Sequence, residues 1–227
     1  MDAGPEFALT RAGEFALEIS VCDKRGHSGF TTTSVASLCA VLMAAFEDRT
    51  KLVVFRNFAV SFQPDEIGMI ADLTDRVVYS AQVQLLLDTI RQAPFFSIFI
   101  ADGAVEGFAL DLCIACDWRL ATKICTFRFA SNRAVANGLP DNVRLVELIG
   151  EFLALDMLLR QRRLTGQEAI AIGLATPADE DSFVAEVLEH VAGVEKQSIA
   201  GMRHAVRSVK VADGQLSRIV DSLSVAG

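Results

Sequence analysis

Long apolar runs are missing from this sequence. No stretch approaches the roughly 18 to 20 uninterrupted apolar residues of a membrane-spanning helix, and the N-terminus has no basic segment followed by an apolar one. A soluble, cytoplasmic protein with no membrane partner is the expectation. Basic clusters are scarce too: 21 Lys and Arg face 29 Asp and Glu, the net charge is −8, and the one dense basic run, Arg160 to Arg163, reads as the solvated end of a helix. A nucleic-acid surface needs clustered cations, so nucleic acid is set aside as a partner. Paired cysteines are also wanting. The five present, Cys22, Cys39, Cys113, Cys116 and Cys125, are an odd number set in apolar segments, the pattern of reduced packing residues. Cys113 and Cys116 form a CxxC, but no second pair and no His at ligand spacing joins them, and no metal is expected. Internal repeats and low-complexity tracts are absent as well.

What is there is a large apolar fraction, 52% of 227 residues, enough for one substantial core. Met1 to about Gly13 is small and polar and contains a Gly-Pro; it is expected to be a flexible N-terminus without function. From Phe15 to Val21 apolar residues alternate with Ala16, Glu18 and Ser20, a half-buried strand. Cys22 to Gly29 is a charged turn. Val35, Leu38, Cys39, Leu42 and Phe46 mark an amphipathic helix capped from Thr31 to Thr33. A short buried strand, Leu52 to Phe55, follows. Helices are expected over Leu73 to Gln92, after Leu139-Pro140-Asp141, over Glu151 to Arg160, after a Thr165/Glu168 capping box, and from Asp181 or Ser182 to Val191. Two terminal amphipathic helices are carried by Ile199, Met202, Val206 and Val209, and by Leu216, Ile219, Val220 and Leu223.

The central stretch runs from Phe95 to Asp117, FFSIFIADGAVEGFALDLCIACD. Phe95 to Ile100 suits a strand covered on both faces. Ala101, Asp102 and Gly103 punctuate, and from Val105 the apolar period becomes helical, with Val105, Phe108, Ala109, Leu112 and Cys116 on one face. A strand feeding a helix at a glycine leaves the first helical N–H groups without intrahelical partners. Such a start favours negative charge.

This order of segments resembles the crotonase (enoyl-CoA hydratase/isomerase) superfamily, with some likeness to its polyketide-associated decarboxylase/isomerase branch. Ala115-Cys116-Asp117 followed by Arg119-Leu120-Ala121 matches the end of the family's central helix and its next strand. Leu164 to Leu174 matches the later "Arg-Leu-Ser/Thr-x-x-Glu-Ala-x-x-x-Gly-Leu" segment. The resemblance implies an α/β fold: a crotonase-type ββα spiral core, here residues 14–195, with a C-terminal helical trimerisation region at 196–227. It implies a homotrimer or hexamer, no cofactor beyond a thioester carried by coenzyme A or an acyl carrier protein, and that carrier protein as a possible partner.

Carried onto this sequence residue by residue, the resemblance puts the two backbone oxyanion-hole donors at Phe62 and Phe108. Phe62 follows from aligning Phe58 and Ser61 with the family's Phe and Gly; a slip of register would give the donor to Glu66, and Gln63 stands where an acid is usual. Asp111 falls at the position of the first catalytic carboxylate, either as a proton-transfer group or as an ordinary partly buried acid. Arg133 lies where hydratases carry a second Glu. A guanidinium cannot serve as a base, so it would hold a substrate carboxylate, depress the Asp111 pKa, or simply face solvent. Lys24 and Arg25 would face nucleotide phosphates or form a solvated turn, and Gly107 would line the acyl thioester. His204, in a segment like the terminal helix of the decarboxylase branch, would protonate a dienolate or be an ordinary helical His. One carboxylate suits double-bond migration, dehydration or decarboxylation of an enoyl thioester in polyketide-type metabolism better than hydration. The aromatic replacements and Arg133 leave a second class open: a degenerate homologue that stabilises or stimulates a partner enzyme.

Overall fold

The alternation in Ala16–Cys22 (β2) turns Leu17, Ile19 and Val21 toward one layer of helices and Ala16 toward the other side of a sheet. The computed structural model describes residues 6–22, 30–58, 73–128, 142–177 and 179–207. Against the expectation of a flexible N-terminus, Glu6–Ala12 (β1) is a strand, antiparallel to β2 in a register from Glu6↔Cys22 to Ala12↔Ala16. Gly13, at φ 71°, permits the reversal between them. Phe7 fastens the strand to the core, its ring stacked at 6.1 Å on Phe30 and 6.0 Å on Phe58.

Thr31 caps Thr32–Glu47 (α1) by accepting from the Ser34 N–H, and Leu52–Arg56 (β3) pairs parallel to β2. Leu73–Gln92 (α2) leads into Phe96–Ala101 (β4), parallel to β3. After β4 come Ala104–Glu106 (β5), Phe108–Ala115 (α3), Trp118–Ala121 (β6) and Thr126–Arg128 (β7). Asn142–Ile149 (α4), Glu151–Arg160 (α5), Leu164–Thr165 (β8), Gly166–Ala171 (α6), Glu180–Ala192 (α7) and helical residues 196–207 (α8) complete the described chain. The main sheet has the order β1-β2-β3-β4-β6, parallel apart from β1; a smaller one has the order β5-β7-β8.

Both faces of the main sheet are covered, the arrangement that parallel strands require. Val53, Phe55, Phe99 and Ala101 meet α1, α2 and α3, while Leu52, Val54, Ile98, Ile100 and Leu120 meet Phe183, Val184, Val187 and Leu188 of α7. The Thr165/Glu168 capping box is formed in full. One element departs from its pattern: α3 has no solvent face, every residue from Phe108 to Ala115 being buried. The period had suggested one apolar stripe beginning at Val105. The helix instead starts at Phe108, Val105 belongs to β5, and α3 is enclosed by β4, α2 and α4.

Candidate active site

Ligands of parallel α/β sheets collect beyond the carboxyl ends of the strands, and here that edge holds Arg56 at the end of β3, Asn57 and Phe58 after it, and the run from Asp102 to Phe108 after β4. The chain leaves β5 through Gly107, whose φ of 57° and ψ of −126° would strain any residue with a side chain. Its carbonyl accepts at once from Leu110 N–H at 3.0 Å and Asp111 N–H at 3.2 Å, so α3 begins without a loop. The first amides of α3 have no carbonyl within the helix to bond. They carry the positive end of its dipole.

Around this start the sequence supplies phenyl rings. Phe108, only 5% exposed, lies 4.4 Å from Phe30, which stacks at 5.8 Å on Phe58; Phe55 and Phe99 close the group at 5.5 and 6.2 Å from Phe58. Within the first turn of α3 Asp111 is 2% exposed. A buried acid in the first turn of a helix sits where a change of charge or proton on a group bound at that helix start would be felt more strongly than in water. Nearer the strand end, burial pushes the Asp102 carboxyl above its ordinary range, with Arg56 partly opposing the shift. Arg56 itself is held by Glu18 at 2.9 Å, Glu180 at 3.1 Å and Asp181 at 2.7 Å. Burial likewise pushes the Cys113 thiol up to about 12 and the Cys116 thiol well above the ordinary range, which leaves both inert as nucleophiles at neutral pH.

Of the residues singled out from the sequence, Gly107, Phe108 and Asp111 are brought together at the start of α3. His204 is not with them. Its helix, α8, is fastened by Arg203, which donates from Nε to Asp117 at 3.1 Å, from Nη2 to the Ile90 carbonyl at 2.8 Å and from Nη1 to the Ala93 carbonyl. Those partners lie where β4 begins and α3 finishes, the end opposite Gly107, and the His204 side chain is exposed there. Within one chain the segment of α8 that carries His204 is thus fastened at the end of α3 opposite Gly107. Lys24, Arg25, Ser61, Phe62, Gln63, Glu66, Arg133, Leu139 to Asp141 and the last helix expected at 216–223 lie outside the described residues. Glu106 carried no signal of its own in the sequence. In the structure it is gripped by Arg128 at 2.6 Å and Arg163 at 3.2 Å, partners too distant in sequence for any periodicity to reveal.

No family model matches the chain. Among curated proteins it is similar to ethylmalonyl-CoA decarboxylase of Rattus norvegicus, 30% identical over 135 residues that make up 59% of this chain and 45% of that protein. The same-named protein of Xenopus tropicalis is 28% identical over 231 aligned positions, 97% of this chain and 76% of that protein. The rat match thus spans less than half of that relative's length. Among solved structures, enoyl-CoA hydratase from Bacillus anthracis superposes with a TM-score of 0.77 over 88% of this chain and 82% of that one, at 19% identity.

Proposed function

Proceeding from a chain that has the crotonase fold, we propose that it stabilises the enolate of an acyl thioester, and that its reaction is the loss of CO2 from a malonyl-type acyl thioester. The observation that carries the proposal is Asp111, buried in the first turn of a helix whose leading residue, Phe108, packs among phenyl rings beyond β4. In such a decarboxylation the bond between Cα and the carboxyl carbon breaks, its electron pair passes into Cα and the thioester oxygen, and CO2 departs. Amides aimed at that oxygen favour the transition state; losing one such donor typically costs roughly 3 to 4 kcal/mol of barrier. Apolar walls strip water from the leaving carboxylate, whose charge spreads as it reacts. Asp111 would then manage the proton that replaces CO2 at Cα. Ethylmalonyl-CoA decarboxylases among the relatives support this choice within the wider set of decarboxylation, isomerisation and dehydration.

Malonyl-type, glutaconyl and enoyl thioesters, each on coenzyme A and on an acyl carrier protein, are to be incubated with the purified protein and followed by mass. Loss of CO2 from a malonyl-type substrate is expected. Preference for the carrier-protein form would support a place in polyketide-type metabolism. No conversion of any substrate, together with no heat of binding for acyl-CoA, would overturn the proposal.

That last outcome belongs to the second reading, a degenerate homologue that supports a partner enzyme. The Phe108 ring favours it, standing against Phe30 at the mouth of the turn. Self-association into trimers or hexamers remains the expectation under either reading. Phe152, Leu155 and Leu159, exposed along one side of α5, support it, and sedimentation measures it.

A further inference from the structure

The strand that launches the turn is tied down from its outer side. Glu106, the last residue of β5, stands opposite Arg128 in the β5/β7 ladder, and its Oε2 accepts from Arg128 Nη2 at 2.6 Å. Its Oε1 accepts from Arg163 Nη2 at 3.2 Å. Arg163 immediately precedes β8, whose Leu164 pairs with Phe127 of β7. One carboxylate therefore joins all three strands of the small sheet, while Val105, Phe127 and Leu164 bury the opposite face in the core.

The residue after this anchor is Gly107. A glycine has no side chain to settle its own dihedrals, so its neighbours decide them. On one side Gly107 is fixed by α3, through the bonds from Leu110 and Asp111. On the other side it is fixed by Glu106. The direction of the Phe108 N–H depends on both. Among the described residues the Nε of Arg128 is buried without a hydrogen-bond partner, so Arg128 gives up one donor to hold Glu106 through Nη2. Two guanidiniums against one carboxylate also leave an excess of positive charge beside the turn, the sign that favours a developing oxyanion.

We propose that Glu106 is a positioning residue: clamped between Arg128 and Arg163, it sets Gly107 so that the Phe108 N–H meets the thioester oxygen as charge grows there. The proposal rests on the acyl-thioester reading above. A carboxylate that merely stabilised the small sheet would affect melting and leave the bound carbonyl unchanged, and that difference makes the two roles separable.

The unaltered chain, Glu106→Gln and Arg163→Gln are compared, with circular dichroism to establish folding. Arg163 is 56% exposed, so its variant folds even where Glu106→Gln does not. Butyryl-CoA with an isotopically labelled carbonyl is the probe, and infrared difference spectra report how strongly the protein polarises it. In the unaltered chain the bound carbonyl band moves to lower frequency. Glu106→Gln returns it toward the free value and lowers kcat roughly ten- to a hundredfold, with KM changed by less than about threefold. Arg163→Gln gives a smaller change in the same direction. If the unaltered chain polarises the carbonyl and a folded variant keeps both band and kcat, the positioning role is overturned and the acyl-thioester reading stands. If the unaltered chain binds the probe with no shift, or does not bind it, the positioning role is overturned, and the acyl-thioester reading falls with it where no thioester is turned over.

Discussion

Asp111 and Asp117 stand at the two ends of one eight-residue helix and have opposite lives. Asp117 is surrounded by donors: Ser97 through its N–H and Oγ, both at 2.9 Å, and Arg203 and Arg207, each at 3.1 Å. The guanidiniums around it also close the carbonyl ends of two helices. Arg203 and Arg207 bond Ile90, Ala93 and Arg91 at the end of α2, and Arg119 bonds Cys116 after α3. Cations at helix carboxyl ends are stabilising, so charge at this edge is spent on fixing α8 to the sheet. At the other edge Asp111 is buried in the first turn of α3, three residues after Phe108 of the phenyl cluster. The same residue type is thus a structural hub at one end of α3 and a candidate proton carrier at the other, and the difference comes from which helix end each faces.

Asp111→Asn tests the contrast at its strongest point. Turnover of the proposed substrate is expected to fall about 10²- to 10⁴-fold with little change in thermal midpoint, and retained turnover would mean that the acid does no chemistry. Arg203→Ala attacks the opposite end. Removing this buried guanidinium frees the Ile90 and Ala93 carbonyls and leaves Asp117 with Arg207 and Ser97 alone, which should cost about 2 to 3 kcal/mol in urea unfolding; a loss of turnover in the folded fraction would instead draw α8, and His204 with it, into the chemistry.

The thiols inside α3 and just after it give a pH-dependent test. Cys113 and Cys116 ionise in the unfolded chain near the ordinary value of 9 but stay protonated in the fold, Cys113 up to about 12. Their raised folded pKa values mean that the unfolded chain holds fewer protons above pH 9, so stability is full below that pH and falls above it. The slope is about 1.4 kcal/mol per pH unit for each thiol. Urea titrations from neutral pH upward should show the decline; a flat profile would mean that α3 opens readily. The smallest effect belongs to Thr165→Ala, remote from both ends, which should cost about 1 kcal/mol through loss of the cap on α6.

Much of the fold could be read along the chain because it rests on local chemistry. The helices at Leu73–Gln92 and Glu151–Arg160 follow from apolar spacing, and the Thr165/Glu168 box from two residues three apart. Residues 6–12 are not legible as a strand along the chain because an edge strand owes its order to a neighbour: pairing with β2 and the stacking of Phe7 on Phe30 and Phe58 outweigh weak local preference. The enclosure of α3 leaves no trace in its own period for a related reason, since burial on all sides depends on where α2 and α4 pack. At the site, Gly107 and Asp111 could be named from the family resemblance, while the strand-glycine-helix order pointed to Gly103 and passed over β5. The grip of Arg128 and Arg163 on Glu106 could not, because those partners lie 22 and 57 residues away.

The sequence by itself determined the strand at Phe96–Ala101, the principal helices and the capping box, because hydrophobic period and caps act within a few residues. Only the tertiary structure decided that His204 sits away from Asp111, that Asp117 binds α8, and that Glu106 is clamped. Ion pairs and burial join residues brought together by packing, and their spacing along the chain carries no trace of it.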